Sequence, residues 1–168
     1  FRYVQKIKMR NLLWLTDASM QDGILCFQDG RNIKQTPLKI EADELQTIQC
    51  DELIVFIPSI HLNSQHFATD LKNAEKRLAV FVSEFGHEIL DSPNQLTFRY
   101  SEKDSCFYWL KTHVFEDLFA IFASLDMKII FLPDFFLLPH GESCAISARD
   151  RLLVRLKNGE GYSLALDE

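Results

Sequence analysis

The sequence predicts an α/β fold of mixed sheets with flanking helices, and three observations carry that prediction. The first is the run Leu53-Ile-Val-Phe-Ile57, continuously apolar and closed by Pro58, the pattern of a strand buried on both faces. The second is an order of helix then strand that occurs twice, ahead of residues 53–57 and again ahead of residues 127–132, each strand stopping at a proline. The third is a set of short strand-like segments at either end of the chain. They are punctuated by Asp29-Gly30 and Asn158-Gly159, dipeptides that suit tight hairpins because glycine tolerates positive φ.

Taken in order, residues 11–16 and 23–28 read as two strands around a polar turn. Residues 33–40 form a third, placed at a sheet edge by Pro37, which has no N–H for the ladder. A short helix within 41–49 turns Leu45 and Ile48 inward and leads to the buried strand. A longer helix is predicted within 70–89, with Leu71, Ala74, Leu78, Val82 and Phe85 on one stripe at steps of three and four. Gly86 ends it and Asp91-Ser-Pro93 turns the chain. Residues 95–100 and 106–110 pair as a hairpin across a polar break. The next helix carries Val114, Leu118, Ile121 and Leu125, widened by Phe115, Phe119 and Phe122, and feeds the strand at 127–132. A short apolar turn opens at Asp134, and strands follow at 144–147, 152–156 and 162–166. These elements group as 1–58 (meander and first crossover), 59–110 (helix plus strand pair) and 111–168 (second helix–strand block and C-terminal strands). The last strand leaves an edge that needs a partner.

Composition narrows the function classes. A chain of 168 residues suits one domain or two small lobes, and 14 Phe supply a real core. A formal net charge of −6 opposes a general nucleic-acid role. Arg2, Lys6, Lys8 and Arg10 make a basic start, read as a flexible solubilising end or as a contact for an acidic surface or phosphates. No segment approaches the ~20 apolar residues of a membrane span, and no secretory signal opens the chain. Cys26, Cys50, Cys106 and Cys144 are widely spaced and lack any CxxC, so they read as buried free thiols of a reducing compartment, the cytosol.

Chemistry is hard to place. His61 and His66 have neither helical nor strand spacing, and HExxH is absent. His87, Glu88 and Asp91 would face a metal together only if one helix ran through them, against Gly86 and Pro93. Asp134, between Pro133 and Phe135, could be an acid with a raised pKa but reads better as the cap of the following turn. No serine sits in GxSxG. A phosphate cradle needs glycines that let backbone N–H groups reach the oxygens. None of the six Gly forms GxxxxGK[ST] or GxGxxG, and Asp17, a Mg²⁺ ligand by position, precedes a turn without a glycine pair or a lysine. The residues therefore nominate no catalytic, cofactor-binding or metal-binding group and no cofactor. The aromatic set, Phe107, Tyr108 and Trp109 with Phe115, Phe119 and Phe122, reads chiefly as core and otherwise as a docking face. Asp43, Glu44, Asp51 and Glu52 form a solvated acidic face or steer a basic partner.

Several segments resemble one family. Leu53-Ile-Val-Phe-Ile-Pro58 is similar to its V-x-V-P-like strand, and residues 80–98 resemble its helix leading to an L-H-F strand, with the family's helix-end Glu and Gln positions replaced around Phe85 to Glu88. Leu132-Pro-Asp-Phe-Phe-Leu-Leu-Pro139 resembles its P-D-x-L-x-L-P element, the most specific of these pieces, with Asp126 standing where the family has glycine. Leu153-Val-Arg155 and Gly161-Tyr-Ser-Leu-Ala-Leu-Asp167 resemble its closing strands. The family is the cytoplasmic domain of the L protein of bacterial type II secretion (GspL), related to the pilus-assembly protein PilM. The resemblance, which runs from about Leu12 to the end, implies an actin-like (ribonuclease H-like) fold that does not use a nucleotide site, part of it lying outside these 168 residues. It implies a non-catalytic scaffold on the cytoplasmic side of the inner membrane, in a chain itself soluble, that recruits the secretion ATPase (GspE-type) through the N-terminal domain of that enzyme. Other platform proteins (the M and F components) are expected partners, with a homodimer a further option. A PilM-type protein that binds ATP is the alternative.

Overall fold

The structure, a computed structural model, describes residues 8–166. Arg2 and Lys6 of the basic start, and Asp167 of the family-like tail, lie outside the described residues. In chain order the elements are β1 (Arg10–Leu15), β2 (Asp22–Asp29), β3 (Asn32–Lys39), α1 (Ala42–Leu45), β4 (Glu52–Ile57), β5 (Asn63–His66), α2 (Ala74–Phe85), β6 (Leu96–Ser101), β7 (Cys106–Lys111), α3 (Thr112–Phe122), β8 (Lys128–Pro133), β9 (Cys144–Ala148), β10 (Arg151–Arg155) and β11 (Gly161–Ala165). They pack as two compact units. One holds the described residues up to Pro58 together with Leu118–Asp134; the other holds Ser59–Asp117 and the described residues from Phe135 on.

The first unit is built on a five-stranded sheet in the order β3-β2-β1-β4-β8. The opening meander is antiparallel, and Gly30 takes φ +62 at the first central position of the two-residue β2–β3 turn. Pro37 does lie on the edge strand. β4 and β8 then add parallel to β1, with Leu13 opposite Val55 and Val55 opposite Phe131, as both predicted crossovers require. This register sends Leu13, Leu15 and Val55 to one face, where all three are fully buried. Phe122 of α3 meets Phe131 edge to face at 5.7 Å on that side. Leu45 of α1 and Ile48 just beyond it are buried as the sequence predicts.

The second unit carries two three-stranded sheets, β5-β7-β6 and β11-β10-β9. The predicted hairpin of β6 and β7 is present, with Phe98 opposite Trp109 and Tyr100 opposite Phe107. β7 alternates, so Phe107 and Trp109 join the cluster around Phe81 of α2 while Tyr108 packs against Phe135 and Phe136. Gly161 opens β11 at a point where a Cβ would lie 2.4 Å from the fully buried Phe135 ring. That ring has no room to retreat, so Gly161→Ala is expected to cost about 3 kcal/mol, the upper end of ordinary overpacking, read from the midpoint of a urea unfolding curve.

Three elements differ from expectation. α2 is shorter than the predicted window and its buried line runs through Arg77 and Phe81, with Leu78, Val82 and Phe85 at its flank and Ala74 exposed. The apolar pattern missed this line because Arg77 counts as polar. Its guanidinium lies 4.2 Å from the centre of the Tyr100 ring and donates to the carbonyls of Leu71 and Lys72, which makes burial tolerable. The start of α2 is set by Asn73, whose side chain accepts from the Lys76 N–H at 2.9 Å. In α3, Leu118 and Phe122 are buried, whereas Phe119 and Ile121 face outward. β5, four polar residues at a sheet edge, has no apolar alternation and was not expected at all.

Candidate functional site

The turn between β1 and β2 stands at the strand end where an anion-binding loop would lie, and it is closed upon itself. Asp17 Oδ1 accepts the N–H groups of Gln21 (3.1 Å) and Asp22 (3.0 Å), and Oδ2 accepts the Ser19 hydroxyl. Met20 takes φ +55 to complete the turn, its N–H donating to the Asp17 carbonyl. Partial burial pushes the Asp17 carboxyl up, but the Ser19 hydroxyl and these two N–H groups outweigh it and hold the group below its ordinary value. A phosphate placed here would meet a carboxylate, and the N–H groups of Gln21 and Asp22 are already engaged.

At the opposite end of the same sheet, Glu52 opens β4 almost completely buried. Arg10 approaches one carboxylate oxygen at 2.5 Å and Lys128 the other at 3.2 Å, so one anion ties together the first residues of β1, β4 and β8. The Lys128 ammonium, with Arg10, holds the Glu52 carboxyl below its ordinary value of 4.5 although burial opposes this. A depressed carboxylate stabilises the fold fully above the ordinary value and loses that contribution as pH falls through the lowered one. Glu52→Gln is therefore expected to unfold at lower urea concentration than the parent at neutral pH. The gap should close progressively as the pH of the unfolding series is taken below about 4.5.

The second unit holds a buried polar centre that sequence spacing did not bring together. Asp104, in the β6–β7 turn, has a side chain only 3% exposed. Its Oδ1 meets Arg155 at 3.2 Å and His140 Nε2 at 2.9 Å, while Oδ2 accepts the Ser101 hydroxyl at 2.7 Å. Arg155, equally buried, donates to the Leu138 carbonyl at 2.9 Å and lies 4.5 Å from the centre of the Phe136 ring. Gly159 (φ +91) packs directly on this turn, its carbonyl accepting the Tyr108 hydroxyl at 2.7 Å. Burial pushes the Tyr108 hydroxyl up, which keeps it a donor. His66 anchors the same loop, its Nδ1 lying 3.0 Å from the Asn158 carbonyl and its N–H donating to Glu160. The arrangement couples three loops.

The remaining candidates fall elsewhere. α2 stops at Phe85, so His87, Glu88 and Asp91 do not share a helical face. Asp134 is wholly buried at the start of the 3-10 turn Asp134–Leu137. Phe135 is also fully buried, so the Pro-Asp…Leu-Pro element serves the interior through Pro133 to Phe135 and Leu138 and exposes Leu137 and Pro139. The four cysteines are free thiols, Cys106 buried and the others half-buried. Burial pushes the Cys106 thiol up to about 12. The aromatic set is mainly core, apart from Phe119. Among the described residues, β11 and its continuation present an exposed apolar ridge, where Tyr162, Leu164 and Leu166 alternate outward at 43%, 51% and 41% exposure.

No protein-family model and no curated protein matches this sequence. Solved structures do match its fold. The cytoplasmic domain of EpsL, an inner-membrane component of the type II secretion system of Vibrio cholerae, superposes with a TM-score of 0.68 at 13% identity, over 93% of this chain and 71% of that one. A Bacteroides thetaiotaomicron protein of actin-like ATPase fold and unknown function superposes with a TM-score of 0.50 at 8% identity, over 100% of this chain and 74% of that one. The chain is thus an actin-like α/β domain that resembles the EpsL cytoplasmic domain, in agreement with the fold the sequence predicts.

Proposed function

We propose that this domain is a non-catalytic scaffold of a type II secretion-like platform on the cytoplasmic side of an inner membrane, and that it recruits the secretion ATPase through the N-terminal domain of that enzyme. The observation that carries this reading is the superposition on the EpsL cytoplasmic domain over 93% of the chain. Two local features support action by contact. The Asp17 turn places a carboxylate where a phosphate would need donors, and β11 offers an apolar ridge of a kind that docking surfaces use. Among the described residues no helix is long and apolar enough to cross a membrane.

Calorimetric titration with the N-terminal domain of a type II secretion ATPase tests the reading, and saturable heat with co-elution is expected. Absence of both at high micromolar concentration would remove it. The alternative, an ATP-binding protein of the PilM type, draws on the actin-like ATPase fold of the Bacteroides structure. Fluorescent-nucleotide titration in the presence of Mg²⁺ separates the two: no saturable binding is expected, and micromolar affinity would favour the alternative.

A further inference from the structure

Each of the three adjacent parallel strands of the first unit is preceded by a sulfur-bearing side chain. Met9 stands immediately before β1, Cys50 two residues before β4, and Met127 immediately before β8. Ladder bonds hold the three segments side by side. The Met9 carbonyl accepts the N–H groups of Asp51 (2.9 Å) and Glu52 (3.1 Å), and the Lys128 N–H donates to the Asp51 carbonyl (3.2 Å). The Met9 N–H is fastened to Asp51 Oδ2 at 2.8 Å. All three residues line one cleft of about 430 Å³, with Leu125 on its apolar side and Asp51 and Asp126 adding negative charge.

Within the cleft, Cys50 Sγ lies 3.6 Å from Met127 Sδ. Two metal–sulfur bonds of about 2.3 Å, opened to roughly 100°, span that distance. Met9 is half exposed and has the unbranched reach to bring a third sulfur in. Among the described residues no cluster of histidine, cysteine and carboxylate groups could hold a metal, and it is methionine sulfur that completes this set. We propose that the cleft binds one soft, closed-shell monovalent ion of the copper(I) class, held by the Cys50 thiolate and the Met127 thioether, with Met9 as third ligand. Thiolate and thioether donors select such soft ions over calcium or magnesium. The ion displaces the Cys50 S–H proton, which leaves to solvent, so one proton is released per ion and nothing is oxidised or reduced.

Silver(I), a redox-inert member of the class, is the probe. The full chain, labelled with ¹³C at its methionine methyl groups, is titrated without thiol reductants while methyl shifts and proton release are followed. The first equivalent is expected to move the Met127 and Met9 methyl signals. Met20, in the β1–β2 turn and outside the cleft, is the internal control that stays still. Cys50→Ser should abolish the Met127 shift, and Met127→Leu should weaken the first binding step about tenfold or more while leaving the fold intact, since the swap conserves volume. A first equivalent that leaves the Met127 methyl unmoved, an unchanged titration in Met127→Leu, or no binding at all would each overturn the site.

Discussion

Asp104→Ala is expected to cost about 3–5 kcal/mol of stability, the range seen when one partner of a buried ion pair is removed. The reason is what remains behind. Arg155 is 5% exposed and keeps its bond to the Leu138 carbonyl and its place over the Phe136 ring, but its positive charge would then be buried without an anion. Loss of the His140 contact adds little, because that ring is well exposed and exposed pairs contribute at most about 1 kcal/mol. His140→Ala is accordingly expected to shift the urea midpoint only slightly. The pair Asp104→Leu with Arg155→Met should recover much of the loss by replacing both charges with apolar volume. An Asp104→Ala protein that unfolds within about 1 kcal/mol of the parent would show that Arg155 finds another anion or reaches water.

Phe81→Ala is expected to cost about 3–5 kcal/mol as well, through lost burial and the cavity left behind. Phe81 is fully buried at the centre of the aromatic cluster of the second unit. Its ring stacks on Phe107 at 4.3 Å and on Phe85 at 5.1 Å and meets Phe67 edge to face at 5.5 Å. Trp109 is 5.7 Å away, so its fluorescence reports the unfolding of this cluster directly. Phe81→Leu retains most of the volume and should lose distinctly less. Equal losses for alanine and leucine would indicate that ring stacking, and not cavity volume, dominates here.

Both predictions concern the frame that holds the exposed surface, and that frame matters to the proposed role. A scaffold needs rigid loops more than reactive groups. The Asp104 centre ties the β6–β7 turn to the chain near Leu138–His140 and to Arg155 at the end of β10, while Tyr108 ties in the β10–β11 turn at Gly159. The exposed ridge of β11 starts directly after that turn. Variants that loosen the Asp104 centre should therefore weaken partner binding even though none of its members lies on the ridge.

Much of the architecture was decided by local pattern alone. Residues 53–57 read as a buried strand, because an unbroken apolar run closed by a proline has no face to give to water, and β4 is flanked on both sides. Pro37 fixed β3 at an edge, and glycine at residues 30 and 159 marked turns that adopt positive φ. Tertiary packing decided the rest. Which side of α2 faces inward depended on Tyr100 offering its ring to Arg77, a contact between residues far apart in sequence. β5 exists because β7 supplies a ladder, since nothing in Asn63–His66 demands a strand. Asp104, His140 and Arg155 carry no common spacing, and only the folding of two sheets and their turns brings a carboxylate, an imidazole and a guanidinium to one point. Periodicity reports what each segment must hide, whereas partners for buried charge are chosen by whatever the fold places opposite them.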